Sequence, residues 1–385
     1  MANAFGHAAP ARVSRRFRFA LKTLLVLVGV ACVGLGVYVE RVRQRRAAIG
    51  ELERTGFRVR ETQHRYLGVV TSREFVVRPP ATYVPSRREP RGGDLLASRR
   101  LRQKIWVLDD ATVKKIAPFI AKLRNTVTLH FSECDQLTGV GGLRGLANVR
   151  EIRLERCRAL TNVDGLSGLR NLRILNVNFC EQLSEVDGLA GLPNLRDLYA
   201  NACPQLANLS GLKGCAKLKY VSAFGGNQLR SIDGLRGLAR IKELNLSDCD
   251  QLTDVDALKG LQSLEVLNLK HCDRLMNVDG LQGLSRLTAV LLDDCGKLTT
   301  VDGLGDATNL NCLQLNGCVR LAEIDGLKSL SNLRTLGLYK CQQLTDVDVL
   351  QGMTNIGRLD LRHCPIPPNE IAALVENLTT AEIQY

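Results

Sequence analysis

Residues 172–194 read LRILNVNFCEQLSEVDGLAGLPN, residues 241–263 read IKELNLSDCDQLTDVDALKGLQS, and residues 264–286 read LEVLNLKHCDRLMNVDGLQGLSR. The three stretches align without a gap. Working outward from them, a cysteine returns every 23 residues, at 134, 157, 180, 203, 249, 272, 295, 318, 341 and 364, and Gly226 takes the one remaining place in the series. A unit this short cannot bury its apolar face alone, so neighbouring units must stack on one another. Roughly two thirds of the 385-residue chain is therefore expected to be a solenoid.

Numbered from the first apolar residue of each unit, apolar side chains fall at positions 1, 4, 6, 12, 15, 18 and 21, with cysteine at 9. Positions 1 to 6 alternate with period two, as in a strand with one buried face. Leu244, Leu246, Leu267 and Leu269 should point inward, and positions 3, 5 and 7 outward. Strands stacked at ~4.8 Å per repeat form a parallel sheet, and eleven of them make an arc of roughly 50 Å. Frequent glycine at positions 17 and 20 suits tight turning.

The pattern L-x-x-L-x-L-x-x-C-x-x-L, carried from Thr126 to about Leu378, resembles the leucine-rich repeat. It is similar to bacterial forms built on C-x-x-L-T-x-V-D-G-L-x-G-L. The resemblance implies an α/β-type solenoid, a horseshoe with a parallel concave sheet. It also implies binding of a protein or glycan, without fixing which. Repeat four departs from the pattern at Ala200, Ser210 and Cys215, and repeat five at Ala223, Gly225, Gly226 and Asn227. The coil is expected to be least regular there.

The cysteines invite a metal or disulfide reading. No C-x-x-C spacing occurs, and neighbouring position-9 side chains should lie parallel rather than facing. A reduced, buried ladder is expected, with no metal and no cofactor. A second ladder, of aspartates, occupies position 16: Asp164, Asp187, Asp233, Asp256, Asp279, Asp302, Asp325 and Asp348. Each is expected to cap the short turn that follows, by accepting N–H groups two or three residues ahead; calcium binding is the alternative.

An open stack needs covers. Upstream, residues 104–125 predict a strand at Ile105–Leu108 and a helix capped near Asp110, with Val113, Ile116, Ile120 and Leu123 on one face and Pro118 inside. Residues 126–355 hold the repeats. The last repeat and C-terminal cap follow at 356–385, where Ile371, Leu374, Val375 and Leu378 have helical spacing.

Residues 1–18 form a basic tail, and residues 19–39, FALKTLLVLVGVACVGLGVYV, carry one charge, Lys22. As a helix, 21 residues reach about 31 Å, enough for a bilayer core of ~30 Å. One N-terminal transmembrane helix, uncleaved, is expected, with the bilayer as partner. Arginines flank both ends, so charge does not orient it. A short tail left in the cytosol would place the repeats on the non-cytoplasmic side. Residues 40–103 are a juxtamembrane or linker region, with helical character continuing over Val42–Leu52 and strand-like stretches before Pro79. They either pack on the first repeat or tether it.

Residues 1–125 hold 26 Lys and Arg against 9 Asp and Glu, net +17, and residues 126–385 hold 26 against 30, net −4. The basic character belongs to the N-terminal third, so no nucleic-acid partner is expected for the solenoid. Catalysis is not expected either. His271 and His363 precede ladder cysteines but should point the other way, and no G-x-S-x-G, Walker or H-E-x-x-H motif is present. The chain is read as a non-enzyme.

Solenoids bind on the concave wall. In repeats three to six that wall presents Asn176, Asn178, Asp197, Tyr199, Asn201, Tyr220, Ser222, Phe224, Asn245 and Ser247. Aromatic anchors beside adaptable amides suit recognition, and in a chain only 4% aromatic their concentration marks the candidate site. The alternative is that these rings fill gaps left by Ala200 and Ala223. At the level of the whole chain, a tethered recognition or scaffold module competes with a passive envelope spacer and with a cytosol-facing scaffold.

Overall fold

The computed structural model describes residues 40–66, 69–78, 108–123 and 126–385. Among the described residues fourteen strands form one sheet in strict chain order. It begins with an antiparallel pair, β1 (Arg58–Tyr66) and β2 (Val69–Arg78), and β2 then runs parallel to β3 (Thr126–His130). Every later pairing is parallel. From β5 (Ile174–Asn176) to β13 (Arg358–Asp360) the strands are three residues long and cover positions 3 to 5. A 3-10 turn beginning at position 16 lies on the opposite, convex side of each of the first ten repeats.

The positions divide as their chemistry requires. Leu244, Leu246, Leu267 and Leu269 are all buried, within a single apolar core that runs the length of the stack. Position 8 turns the chain out of the strand in a left-handed conformation in all eleven repeats, from Glu133 (φ 61°) to His363 (φ 62°), with glycine only at 225 and 317. Non-glycine residues are strained there, and in every repeat but the last a bond from the position-8 N–H to the next rung helps hold it, as in Phe179 N–H to the Asn201 carbonyl at 2.8 Å. Position 17 is where glycine is needed for space. A Cβ on Gly188 would lie 2.2 Å from the Val163 carbonyl oxygen of the preceding rung.

The cysteine ladder is reduced among the described residues and buried except at its last member, Cys364, which is half-buried. Its purpose is a hydrogen bond: from Cys157 to Cys364 each position-9 thiol donates to the position-6 carbonyl of the preceding rung, at 2.8–3.5 Å. Cys215, outside the ladder at position 21, makes the same cross-rung bond to the Leu189 carbonyl at 3.2 Å.

Two expectations fail. The position-16 aspartates do not cap the turn; no side chain makes a cap bond at the residue preceding it, as at Val278 before Asp279. The N–H of position 16 is instead taken by the side chain at position 14: Asn162, Asn208, Ser231, Asp254, Asn277, Thr300 and Asp346 accept it at 2.9–3.3 Å. The aspartates are exposed. Repeats four and five also stay regular. Ala200 and Ala223 are fully buried and strand register is unbroken there; the irregular register falls between Val127 and Thr128, at the first rung.

Both ends are covered. A helix over 40–54, α1, buries Ala48 and Leu52 in the common core, and Phe57 meets Phe131 edge-on at 6.3 Å. Residues 40–54, 58–66 and 69–78 thus belong to the same unit as the first repeat. Helix α2 (Asp110–Lys122) is capped by Asp109, whose side chain accepts the Thr112 N–H at 2.8 Å. It buries Val113, Ile116, Ile120 and Leu123 as expected, with Pro118 on the exposed side. Leu108 is buried in irregular chain, not in a strand, and 105–107 lie outside the described residues. At the far end, α3 (Pro368–Asn377) buries Leu374, and Leu378 just beyond it is buried too, but Val375 is 46% exposed. A strand absent from the sequence reading, β14 (Glu382–Gln384), pairs with β13 and closes the sheet. The apolar stretch 19–39 lies outside the described residues, and among those described no helix is long and apolar enough to cross a membrane.

Candidate functional site

The concave wall between β5 and β8 (Glu243–Asn245) separates the candidate residues into two groups. Three are closed off: Ser222 is 1% exposed, Ser247 8% and Asn201 9%. The reason is a backbone debt. The chain leaves the strand after position 5, so the position-7 N–H has no carbonyl opposite it, and a side-chain oxygen must serve. Asn176 accepts the Asn178 N–H at 3.0 Å, Asn178 that of Asn201 at 2.8 Å, Asn201 that of Phe224 at 3.2 Å, and Asn245 that of Ser247 at 3.1 Å. Ser222 donates its hydroxyl to Asn201 at 2.6 Å, and Asn176 gives its amide N–H to Glu155 at 2.6 Å. The amides therefore hold the wall together. Asx-type bonding two residues ahead is a known habit of Asn, so the signal was present in the Asn-x-x spacing of positions 5 and 7.

The second group faces solvent. Tyr199 ends β6 (Asp197–Tyr199) and Tyr220 begins β7 (Tyr220–Ser222); the register sets Asp197 opposite Tyr220, which makes the two tyrosines diagonal neighbours. Their rings lie 5.0 Å apart, tilted by 37°. Diagonal pairs are within reach of large aromatic side chains, and such a pair contributes about 0.5–1.5 kcal/mol beyond burial. Both rings are half-buried, as is Phe224, four residues beyond Tyr220 in the same rung. Ala200 and Ala223 point to the other face of the sheet, so the rings do not fill their gaps. Burial, then the neighbouring Asp197 carboxylate, pushes the Tyr199 hydroxyl above its ordinary value. Burial likewise raises the Asp197 carboxyl, against the pull of Arg196 and Lys219.

Tyr339, on the same wall in repeat ten, is a contrast. Lys340 and Arg362 stand over its ring at 5.1 and 5.4 Å and His363 meets it edge-on at 5.2 Å. Its faces are already occupied, whereas Tyr199 and Tyr220 engage only each other among the described aromatic contacts. The Cys–His pairs do not assemble: His271 is exposed and faces Asp294 at 3.6 Å, while the Cys272 thiol donates to the Leu246 carbonyl at 3.2 Å. The carboxylates of Asp346, Asp348 and Glu370 lie within 4.8 Å of one another. Two of them are spent on backbone: Asp346 accepts the Asp348 N–H and Glu370 the Val347 N–H, which seats the C-terminal cap.

No family model matches this sequence. No curated protein matches it either. Among solved structures, an internalin from Listeria monocytogenes is similar at 20% identity with a TM-score of 0.50, over 69% of this chain and 82% of its own. The leucine-rich repeat domain of the type III effector XopL matches at 21% identity and a TM-score of 0.46, over 57% of this chain and 78% of that one. A leucine-rich-repeat protein of Leptospira interrogans matches at 16% identity and a TM-score of 0.25, over 69% and 92%. The fold is that of a leucine-rich-repeat solenoid.

Proposed function

We propose that this chain is a membrane-tethered recognition module that binds a protein, or a glycan, on the concave wall of repeats three to six. The observation that carries the reading is the Tyr199–Tyr220 pair, two half-buried rings at 5.0 Å whose outer faces meet no other described aromatic or cation. Rigid aromatics supply large contact area at little entropic cost. Around them Asp197 and Phe224 complete the surface a ligand would touch; Asn176, Asn178, Asn201, Ser222 and Asn245 act behind it by fixing the backbone. The tether is residues 19–39, on their length and their single charge, and the repeats lie on the non-cytoplasmic side.

The test is affinity capture after crosslinking in intact cells, comparing the native chain with Tyr199→Ala/Tyr220→Ala/Phe224→Ala. Loss of a reproducible partner in the folded variant is the expected outcome. Undiminished capture removes this wall as the site, and no partner for either chain favours a passive spacer. Sidedness is read separately at Cys312, half-exposed on the concave wall: an impermeant thiol reagent should reach it in intact cells, whereas protection until lysis would place the repeats in the cytosol.

A further inference from the structure

The solenoid as a whole is mildly acidic, but its charge is not evenly spread. One flank is built from the segments that carry each repeat from the convex turn back into the strand, positions 19 to 2. In the first five repeats these are residues 144–150, 167–173, 190–196, 213–219 and 236–242, and together they hold eleven Lys or Arg and no Asp or Glu. Ten of the eleven are exposed, and Arg173 is half-buried. The opposite flank, positions 8 to 16, is where acids gather: residues 248–256 alone hold four aspartates.

A row within the basic flank sharpens the point. Position 2 is Arg150, Arg173, Arg196, Lys219 and Lys242 in five successive rungs. Like charges in register on neighbouring strands repel, and they do so here: the Arg173 guanidinium is held below its usual value first by Arg150, then by burial, then by Arg196. Glu265 ends the row and pairs with Lys242 at 2.6 Å. Arg236 pairs with Asp233 at 2.8 Å; the other nine cations make no ion pair among the described residues. Three acids at position 3 lie beside the five cations: Glu151 is engaged by Arg153 at 2.6 Å, Asp197 is half-buried near Arg196 and Lys219, and Glu243 is exposed, so the acids offset the row only in part. A local arrangement that works against stability marks a place where function sets the sequence.

The shape of the array selects its partner. Rungs in register at ~4.8 Å make the flank a flat field about 20 Å long, not a groove. None of the five segments contains an aromatic residue, so there is no platform on which nucleic-acid bases would stack. Solvated cations spread over a plane match a plane of anionic headgroups, to which each Lys or Arg adds about 1 kcal/mol of attraction. The field also occupies the N-terminal repeats, nearest the net +17 of residues 1–125. We infer that this basic flank of repeats one to five docks on the surface of an anionic bilayer and lays the solenoid on its side against the membrane.

Lysine acetylation mapped by peptide mass spectrometry tests this on the full chain in lipid nanodiscs. One set is pure phosphatidylcholine and the other an equimolar mixture with phosphatidylserine. Lys213, Lys217 and Lys219 should be acetylated about threefold more slowly in the anionic discs. Lys297 and Lys340, on the opposite flank, should not change. Molar salt, which shortens the Debye length to about 3 Å, should abolish the difference, and so should Arg150→Gln/Arg173→Gln/Arg196→Gln. Equal rates in the two lipids overturn the inference. So does slowing by a single-stranded oligonucleotide in neutral discs without any effect of phosphatidylserine. The concave-wall reading uses other residues and another readout, so either can fail alone.

Discussion

Asn277 and Asp279 stand two positions apart in the same turn and have opposite structural weight. Asn277 accepts the Asp279 N–H at 3.1 Å, while the Asp279 carboxylate is exposed. Asn277→Ala should therefore lower stability by about 1 kcal/mol, and Asp279→Ala should change it by less than about 0.5 kcal/mol; urea unfolding midpoints of the two variants decide it. The thiols make a second prediction. Burial is the largest cause holding Cys203 up to about 11, and Cys272 and Cys318 up to about 12, from an ordinary 9.0. Raised values mean that folding favours the protonated thiol. Their contribution is complete below pH 9, where the unfolded chain also keeps its protons, and is lost as pH rises from there through about 12. The unfolding midpoint in reductant should be insensitive to thiol ionisation below pH 9 and fall above it. At this scale the buried leucines and the thiol ladder were readable from periodicity. The position-14 cap was not, because aspartate recurs at 16 so regularly that it draws the inference, while Asn, Ser, Thr and Asp alternate at 14.

The rung is the element, and its geometry is fixed at position 17. Gly188 faces the Val163 carbonyl at a distance no Cβ tolerates, so Gly188→Ala must push two rungs apart at a cost of about 1–3 kcal/mol. Repeat six carries alanine in the equivalent place, Ala257, which is buried in the common core. A denaturant midpoint for Gly188→Ala equal to that of the native chain would contradict this. Elements with strong periodicity were legible, including the faces of α2 and the strands before Pro79. The position-8 turn was hidden because nine of its eleven residues are not glycine. Three-residue β14 carries too little pattern to stand out; only its partner strand, through the Leu361 N–H to the Gln384 carbonyl, defines it.

At the scale of the whole molecule, averages mislead. A net charge of −4 over residues 126–385 conceals one flank with eleven cations and no acid in its first five repeats. The candidate site was likewise legible only in part. Outward-pointing positions were identified correctly, but an outward residue is not an accessible one when rungs ~4.8 Å apart crowd its side chain. That is why Asn201, Ser222 and Ser247 are buried while Tyr199, Tyr220 and Phe224, which are larger, reach past their neighbours. The claim that this wall is the working surface is tested most directly by a photo-crosslinking side chain placed at Tyr220, with a control at Met276, which is exposed on the far flank. Illumination of intact cells should attach a discrete partner at 220 and none at 276. A partner captured at 276, or at neither position, would contradict it.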